Sequence, residues 1–249
     1  MDFGLAGRTT LVTGATGGIG QEIARAFAAE GATVALGYRN DRDGAERLAR
    51  ELKDAFPVRY ALDETGSAAE AVAVVRERCG GPDVFVANAF GWGRRRARGV
   101  RFEEVPESEW GAVVAHNLAP VVRATQLVLP GMRERGWGRI AFVSSHNAFG
   151  GQPGQEFYGA VKAGLYGFAR SLMWDVGPDG ILVNVVAPGL TLTERVRGGL
   201  PEEIRERERS RTPTGRLSSP QDVARTLLFL CSAANGNVTG ESITVAGGR

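Results

Sequence analysis

Short apolar runs rich in β-branched and aromatic residues alternate with longer amphipathic stretches along the whole 249-residue chain, and this alternation constrains the fold more than any other feature. The expected strands are TTLVT, ATVALGY, PVRYAL, DVFVAN, RIAFVSS, ILVNVVA and SITVAG. Between them, residues 18–30, 41–55, 67–79, 106–135, 156–177 and 220–232 have helical length and spacing, with start and stop signals such as Pro106 before Glu107 and Gly31 after Glu30. Strands apolar on both faces and joined by crossover helices require a parallel sheet covered on both sides. The expected fold class is α/β, a single Rossmann-type doubly wound parallel sheet of about seven strands with helices on both faces. No linker or low-complexity tract interrupts the chain, so one domain over residues 1–249 is expected.

Two segments break the rhythm. GWGRRRARGVRF is too polar and Gly-rich for a core, and 190–215 carries the charged helical patch PEEIRERERSR. Both follow expected strands, and in an open α/β sheet the ligand crevice lies beyond the carboxyl ends of the strands. Residues 90–102 are thus expected to form a substrate rim and 190–215 a lid.

Charge excludes several function classes. With 30 basic and 28 acidic residues the formal charge is only +2, so no global field points to nucleic acid or membrane as a partner. Cys79 and Cys231 lie far apart without metal-ligand spacing, which argues against a disulfide framework or a zinc site and for a reducing, cytoplasmic setting. The amino terminus lacks a signal pattern, and no run of about 18 apolar residues occurs. Glycine supplies 35 positions, about twice its usual share, which turns attention to backbone loops that hold phosphates.

Such a loop follows the first strand, as Thr13-Gly14-Ala15-Thr16-Gly17-Gly18-Ile19-Gly20 running into a helix. Gly14 permits a tight turn, Gly18 lets backbone approach a pyrophosphate, and Gly20 allows close helix–strand packing, while the helix amino terminus offers unpaired N–H groups. Its first two glycines are wider apart than in the ordinary dinucleotide fingerprint. Residues Gly14, Thr16, Gly17, Gly18, Ile19 and Gly20 are expected to bind the coenzyme. The second strand ends at Gly37-Tyr38-Arg39-Asn40, with no acid to hold ribose hydroxyls. Arg39, beside Tyr38, would instead pair with a 2′-phosphate, favouring NADP(H) over NAD(H), unless it is an ordinary surface cation.

After the fifth strand the chain reads Ser144-Ser145-His146, and Tyr158-Gly159-Ala160-Val161-Lys162 follows. Tyr158 and Lys162 are one helical turn apart and project from one face. A phenol of ordinary pKa about 10 is a poor acid at neutral pH, and a neighbouring cation is expected to lower it. Lys53 and Lys162 are the two lysines of the chain.

Taken in order, TGATGGIG, Asp63 after the third strand, VANA at 86–89, Asn117, Ser145, YGAVK, VAPGLTLT at 186–193 and the closing TGESITVAGG resemble the short-chain dehydrogenase/reductase family over essentially the whole chain. The resemblance implies that Tyr158 is the general acid in reduction, that Ser145 binds the carbonyl oxygen, and that Lys162 also holds the nicotinamide ribose. It implies that Asn117 anchors a water in a proton relay, and that Asp63, Asn88 and Ala89 meet the adenine and ribose. Pro188, Gly189, Thr191 and Thr193 would meet the nicotinamide carboxamide and pyrophosphate. Pro120 lacks an N–H and would crowd the His116 carbonyl, so the helix is expected to kink beside Asn117. The family's usual Asn-Asn-Ala-Gly stands here as Ala87-Asn88-Ala89-Phe90. Phe90, Trp92 and Phe149, with His146 and Leu190, are the expected substrate residues, suited to an apolar or aromatic ligand.

Among relatives the chain looks most like beta-ketoacyl-acyl carrier protein reductases and secondary-metabolism ketoreductases, which implies NADPH-dependent hydride transfer to a ketone or beta-ketoacyl carbonyl. An alcohol dehydrogenase working in oxidation uses the same residues, and a non-catalytic nucleotide-binding regulator on the same fold is the reading from another class. Arg94, Arg95, Arg96, Arg98 and Arg101 would supply a basic rim for an acyl carrier protein. Gly136 and Asp179, near where carrier-dependent relatives present docking arginines, leave a free small ketone equally open. The resemblance also implies a homotetramer packed through 106–135 and 156–177.

Overall fold

The computed structural model describes residues 2–249. Seven strands form one parallel sheet: β1 Thr9–Val12, β2 Thr33–Tyr38, β3 Ala55–Arg59, β4 Val84–Ala87, β5 Gly138–Val143, β6 Ile181–Pro188 and β7 Ser242–Val245. Their spatial order is β3-β2-β1-β4-β5-β6-β7, so the winding direction reverses between β1 and β4. This is the doubly wound sheet expected from the alternation.

The side-chain period of a strand explains why these runs are apolar throughout. Phe85, Ile140, Phe142, Val183 and Val185 point into one core. Val84, Val86, Ala141, Val143 and Val186, their neighbours in sequence, point into the other. The first core is closed by α3 (Ser67–Cys79), α5 (Ala119–Glu134) and α7 (Glu156–Val176), and the second by α1 (Gly18–Ala29), α2 (Arg42–Glu51) and α10 (Pro220–Leu230).

Three boundaries differ from expectation. The third strand is Ala55–Arg59 rather than 57–62, and Pro57 is tolerated because β3 is an edge strand. The stretch 106–135 is two helices, α4 (Glu107–Ala115) and α5, separated by a turn at 116–118. Pro120 sits in the first turn of α5, where its missing N–H costs nothing, so the expected kink is a full break. The stretch Glu107–Glu134 is apolar enough in composition to cross a bilayer, yet this turn divides it. Finally, the lid region holds two short helices, α8 (Glu194–Gly199) and α9 (Glu202–Ser210), and α6 (Asn147–Gly150) forms directly after His146.

Candidate functional site

The site lies at the carboxyl ends of the central strands, where β1 and β4 diverge. Gly14 turns there with φ +64°, and a side chain on it would meet the Ala89 Cα at 3.0 Å. A Cβ on Gly20 would sit on the Gly14 carbonyl oxygen, and one on Gly18 would meet the Thr193 Cβ at 2.8 Å. No side chain caps the amino terminus of α1, so its amides face outward as in an anion site. The turn is stitched to β4: Thr13 Oγ1 accepts from the backbone of both Asn88 and Ala89 at 3.0 Å, and Asn88 Nδ2 donates to the Thr13 and Gly14 carbonyls at 3.0 and 3.1 Å. Of the expected coenzyme residues, Gly14, Gly18, Gly20, Asn88, Ala89 and Thr193 are thus brought together, with Thr16, Gly17 and Ile19 in the same turn. Thr193 also caps α8, accepting from the Val196 amide.

At the end of β2 two of the expected coenzyme residues meet each other. Arg39 is not a free cation: its guanidinium pairs with Asp63, the residue expected to meet the adenine. Two strand ends that adjoin in the sheet bring these opposite charges together. Tyr38 precedes the pair, half-buried.

Tyr158 and Lys162 lie on α7, as the i, i+4 spacing requires. Burial pushes the Tyr158 phenol above its ordinary value, with the Ser145 hydroxyl working in the other direction. The expected lowering by a neighbouring cation is not what this arrangement produces. Lys162 is only 5% exposed; its Nζ donates to the Val143 carbonyl at 2.7 Å and lies 4.4 Å from the centre of the Phe90 ring. Burial pulls the ammonium down to about 7. A desolvated cation is itself close to losing its charge, so it has little left with which to depress a phenol.

Asn117 also departs from expectation. Its Nδ2 donates to the Gly91 and Val113 carbonyls at 2.9 and 2.8 Å, and its Oδ1 accepts from the Gly91 amide at 2.7 Å. The side chain expected beside a relay water instead holds the backbone of the rim. Arg95 and Arg96, expected to face a carrier, bond within the chain: the exposed Arg95 to the Pro153 carbonyl at 3.0 and 2.8 Å, the part-buried Arg96 to Glu156 at 2.6 Å. Arg96 holds the Glu156 carboxyl below its usual range.

Around Tyr158 the rim builds an aromatic cluster. The Trp92 ring lies parallel to Tyr158, centroids 5.4 Å apart and planes 8° apart. Phe90 meets both edge-on, at 5.2 and 5.0 Å. Phe149 stacks on Tyr166 at 4.5 Å, and Tyr166 donates to the Ser145 carbonyl at 3.1 Å. His146 donates its amide to Pro188 at 2.9 Å, and Gly189 donates to Val245 at 2.9 Å, so the Ser145 and Leu190 loops are tied through β6. Thr191 bridges to Ser218 rather than standing free.

Sequence reasoning missed Thr13, Tyr166 and Arg195. Tyr166 was findable, one turn beyond Lys162 on the same face. Arg195 lies over the Trp92 ring at 5.3 Å, a contact between rim and lid that spacing does not reveal. Among the described residues no cluster of three metal-ligating side chains occurs.

Comparison with known proteins adds four findings. A family model described as Enoyl-(Acyl carrier protein) reductase matches residues 14–249. The chain is 36% identical over 243 residues to an acetoacetyl-CoA reductase of Rhizobium meliloti (strain 1021), covering 97% of this chain and 98% of the relative. It is 38% identical over 248 residues to a 3-oxoacyl-[acyl-carrier-protein] reductase of Pseudomonas aeruginosa, covering 98% of each. A solved 7α-hydroxysteroid dehydrogenase, complexed with NADH and 7-oxo glycochenodeoxycholic acid, superposes with a TM-score of 0.91 at 31% identity over 99% of this chain and 96% of that one.

Proposed function

The chain belongs to the short-chain dehydrogenase/reductase family, and from that premise we propose that it is an NADPH-dependent reductase of a ketone or beta-ketoacyl carbonyl with Tyr158 as the general acid. The observation that carries the reading is that the Tyr158 phenol meets the Ser145 hydroxyl just after β5, with the buried Lys162 one helical turn on and bonded to the end of the same strand, in a sheet whose first strand runs through a glycine turn into an uncapped helix.

The residues fit a dinucleotide at its phosphate end, where every glycine of the turn lies against backbone or Thr193. At the ribose end Lys162 would hold hydroxyl groups. Its ammonium is buried and lies against the Phe90 ring, so that ring would border the hydroxyl groups it holds. Arg39 would grip the 2′-phosphate with the guanidinium donors that Asp63 leaves over. Asp63 and Tyr38 would flank the adenine, and Pro188, Gly189, Thr191 and Thr193 the nicotinamide end.

The bound coenzyme supplies the hydride. Tyr158 keeps its proton at Oη because burial favours the neutral phenol, and gives it to the substrate oxygen as charge builds there. Ser145 presents a second donor to that oxygen, and preorganised donors at a developing charge contribute strongly in a water-poor site. Lys162 faces the phenolate left behind. Oxidation of an alcohol would run the same proton path in reverse. His146 and Leu190 would border the substrate, and a carrier-bound substrate would meet Arg94 and Arg98, which have no ion pair among the described residues. Trp174 on α7, 79% exposed, is apolar surface of the kind a subunit contact covers, which supports the proposal of a homotetramer packed through this helix.

The test is NADPH oxidation with an acetoacetyl thioester and a panel of ketones. Tyr158→Phe is expected to lower kcat/KM about a hundredfold to ten-thousandfold. Arg39→Ala is expected to shrink the preference for NADPH over NADH about tenfold or more; an unchanged ratio would remove Arg39 from the cofactor reading.

A further inference from the structure

Trp92, stacked on Tyr158, is 62% exposed, and two further exposed rings lie against the same helix α7, Phe149 (56%) on Tyr166 and Phe102 (55%) on Phe157. Exposed apolar surface gathered at one place marks a ligand or partner. The arrangement here is also ordered. Trp92 lies flat against the Tyr158 ring, Phe90 supports both edge-on, and the Arg195 guanidinium lies over the indole. Beneath Trp92 the backbone is pinned: Asn117 clamps Gly91 at two points, and Arg95 and Arg96 fasten the following residues to Pro153 and Glu156.

We infer that this wall selects a ketone whose carbonyl is borne by a flat ring system, an aryl or polycyclic ketone, and that Trp92 is the residue that reads the ring. The inference rests on the ketone-reductase reading and goes beyond it by naming the substrate class. A rigid π face held at both edges rewards a ligand that is itself rigid and flat, because neither side gives up rotamer freedom on contact. A flexible acyl chain gains less there and loses more. The same bonds neutralise Arg96 against Glu156 and fix the guanidinium of the exposed Arg95 on the Pro153 carbonyl, so one of the five rim cations is spent on an ion pair and a second is held in place rather than free to follow an acidic carrier.

The experiment compares kcat/KM for α-tetralone and for the N-acetylcysteamine thioester of acetoacetate, with NADPH and the full chain. The wild type is expected to favour the tetralone about tenfold or more. Trp92→Ala should cut that ratio about tenfold, with the loss falling in KM, and Trp92→Phe should restore most of it. A wild-type preference for the thioester, or a ratio that Trp92→Ala leaves unchanged, overturns the inference while the reductase reading stands. No NADPH-dependent turnover of either compound overturns both.

Discussion

The glycine turn at 13–20 and the rim at 90–102 both follow strand ends at the centre of the sheet, yet they are built by different means. In the turn, close approach sets position: a side chain on Gly14 or Gly20 would meet backbone and one on Gly18 would meet Thr193, with Thr13 and Asn88 tying the turn to β4. In the rim, side chains do the positioning. Asn117 holds Gly91, Arg95 holds Pro153, Arg96 holds Glu156, and rings stack on Tyr158. The first kind of site is specified by what must be absent, the second by partners that must all be present. A binding surface for a common coenzyme suits the former, and one for a particular substrate suits the latter.

This contrast breaks most readily at Gly20. Gly20→Ala places a methyl on the Gly14 carbonyl and is expected to cost ~3 kcal/mol, lowering the melting temperature by about 6–12 °C in a chain of this size. A calorimetric scan that finds it neutral would show that the turn adapts as the rim does. Next in size is Asn117→Ala, which removes three hydrogen bonds from a buried site and is expected to cost ~2 kcal/mol. Hydrogen exchange should show the cost concentrated in faster exchange of the Gly91 amide, with the phosphate turn unaffected.

The smallest effect is read as a slope with pH. Lys162 titrates at about 7 in the folded chain and at about 10.4 unfolded, so between those values the unfolded chain binds more protons. Its contribution to stability therefore rises with pH across that window. Cys231, pushed up by burial to about 12, acts in the opposite direction above its ordinary value of 9.0. The difference in melting temperature between wild type and Lys162→Met should accordingly grow between about pH 7 and 9. A flat difference would mean that the rim does not keep water from the ammonium.

The same division explains what could be read from the chain beforehand. The doubly wound sheet class, most of the helix placement and the glycine turn were legible, because apolar runs on both faces and glycines at fixed spacing leave few alternatives. Tyr158 and Lys162 were legible as a pair because helix geometry alone puts them on one face. Partnerships across sequence were not. Arg39 and Asp63 are 24 positions apart and meet only because β2 and β3 adjoin. Arg96 finds Glu156 across 60 positions. The break at 116–118 was half legible: Pro120 announced a disturbance, but its place in the first turn of a new helix depended on Asn117 turning back to Val113.

Neighbouring strands β1 and β4 send their chains off to opposite sides of the sheet. The hollow between them is therefore a property of the path of the backbone, present before any residue is chosen to furnish it. Descent can rewrite the furnishings, exchanging one ring or one arginine at a time, while the room itself is inherited unchanged.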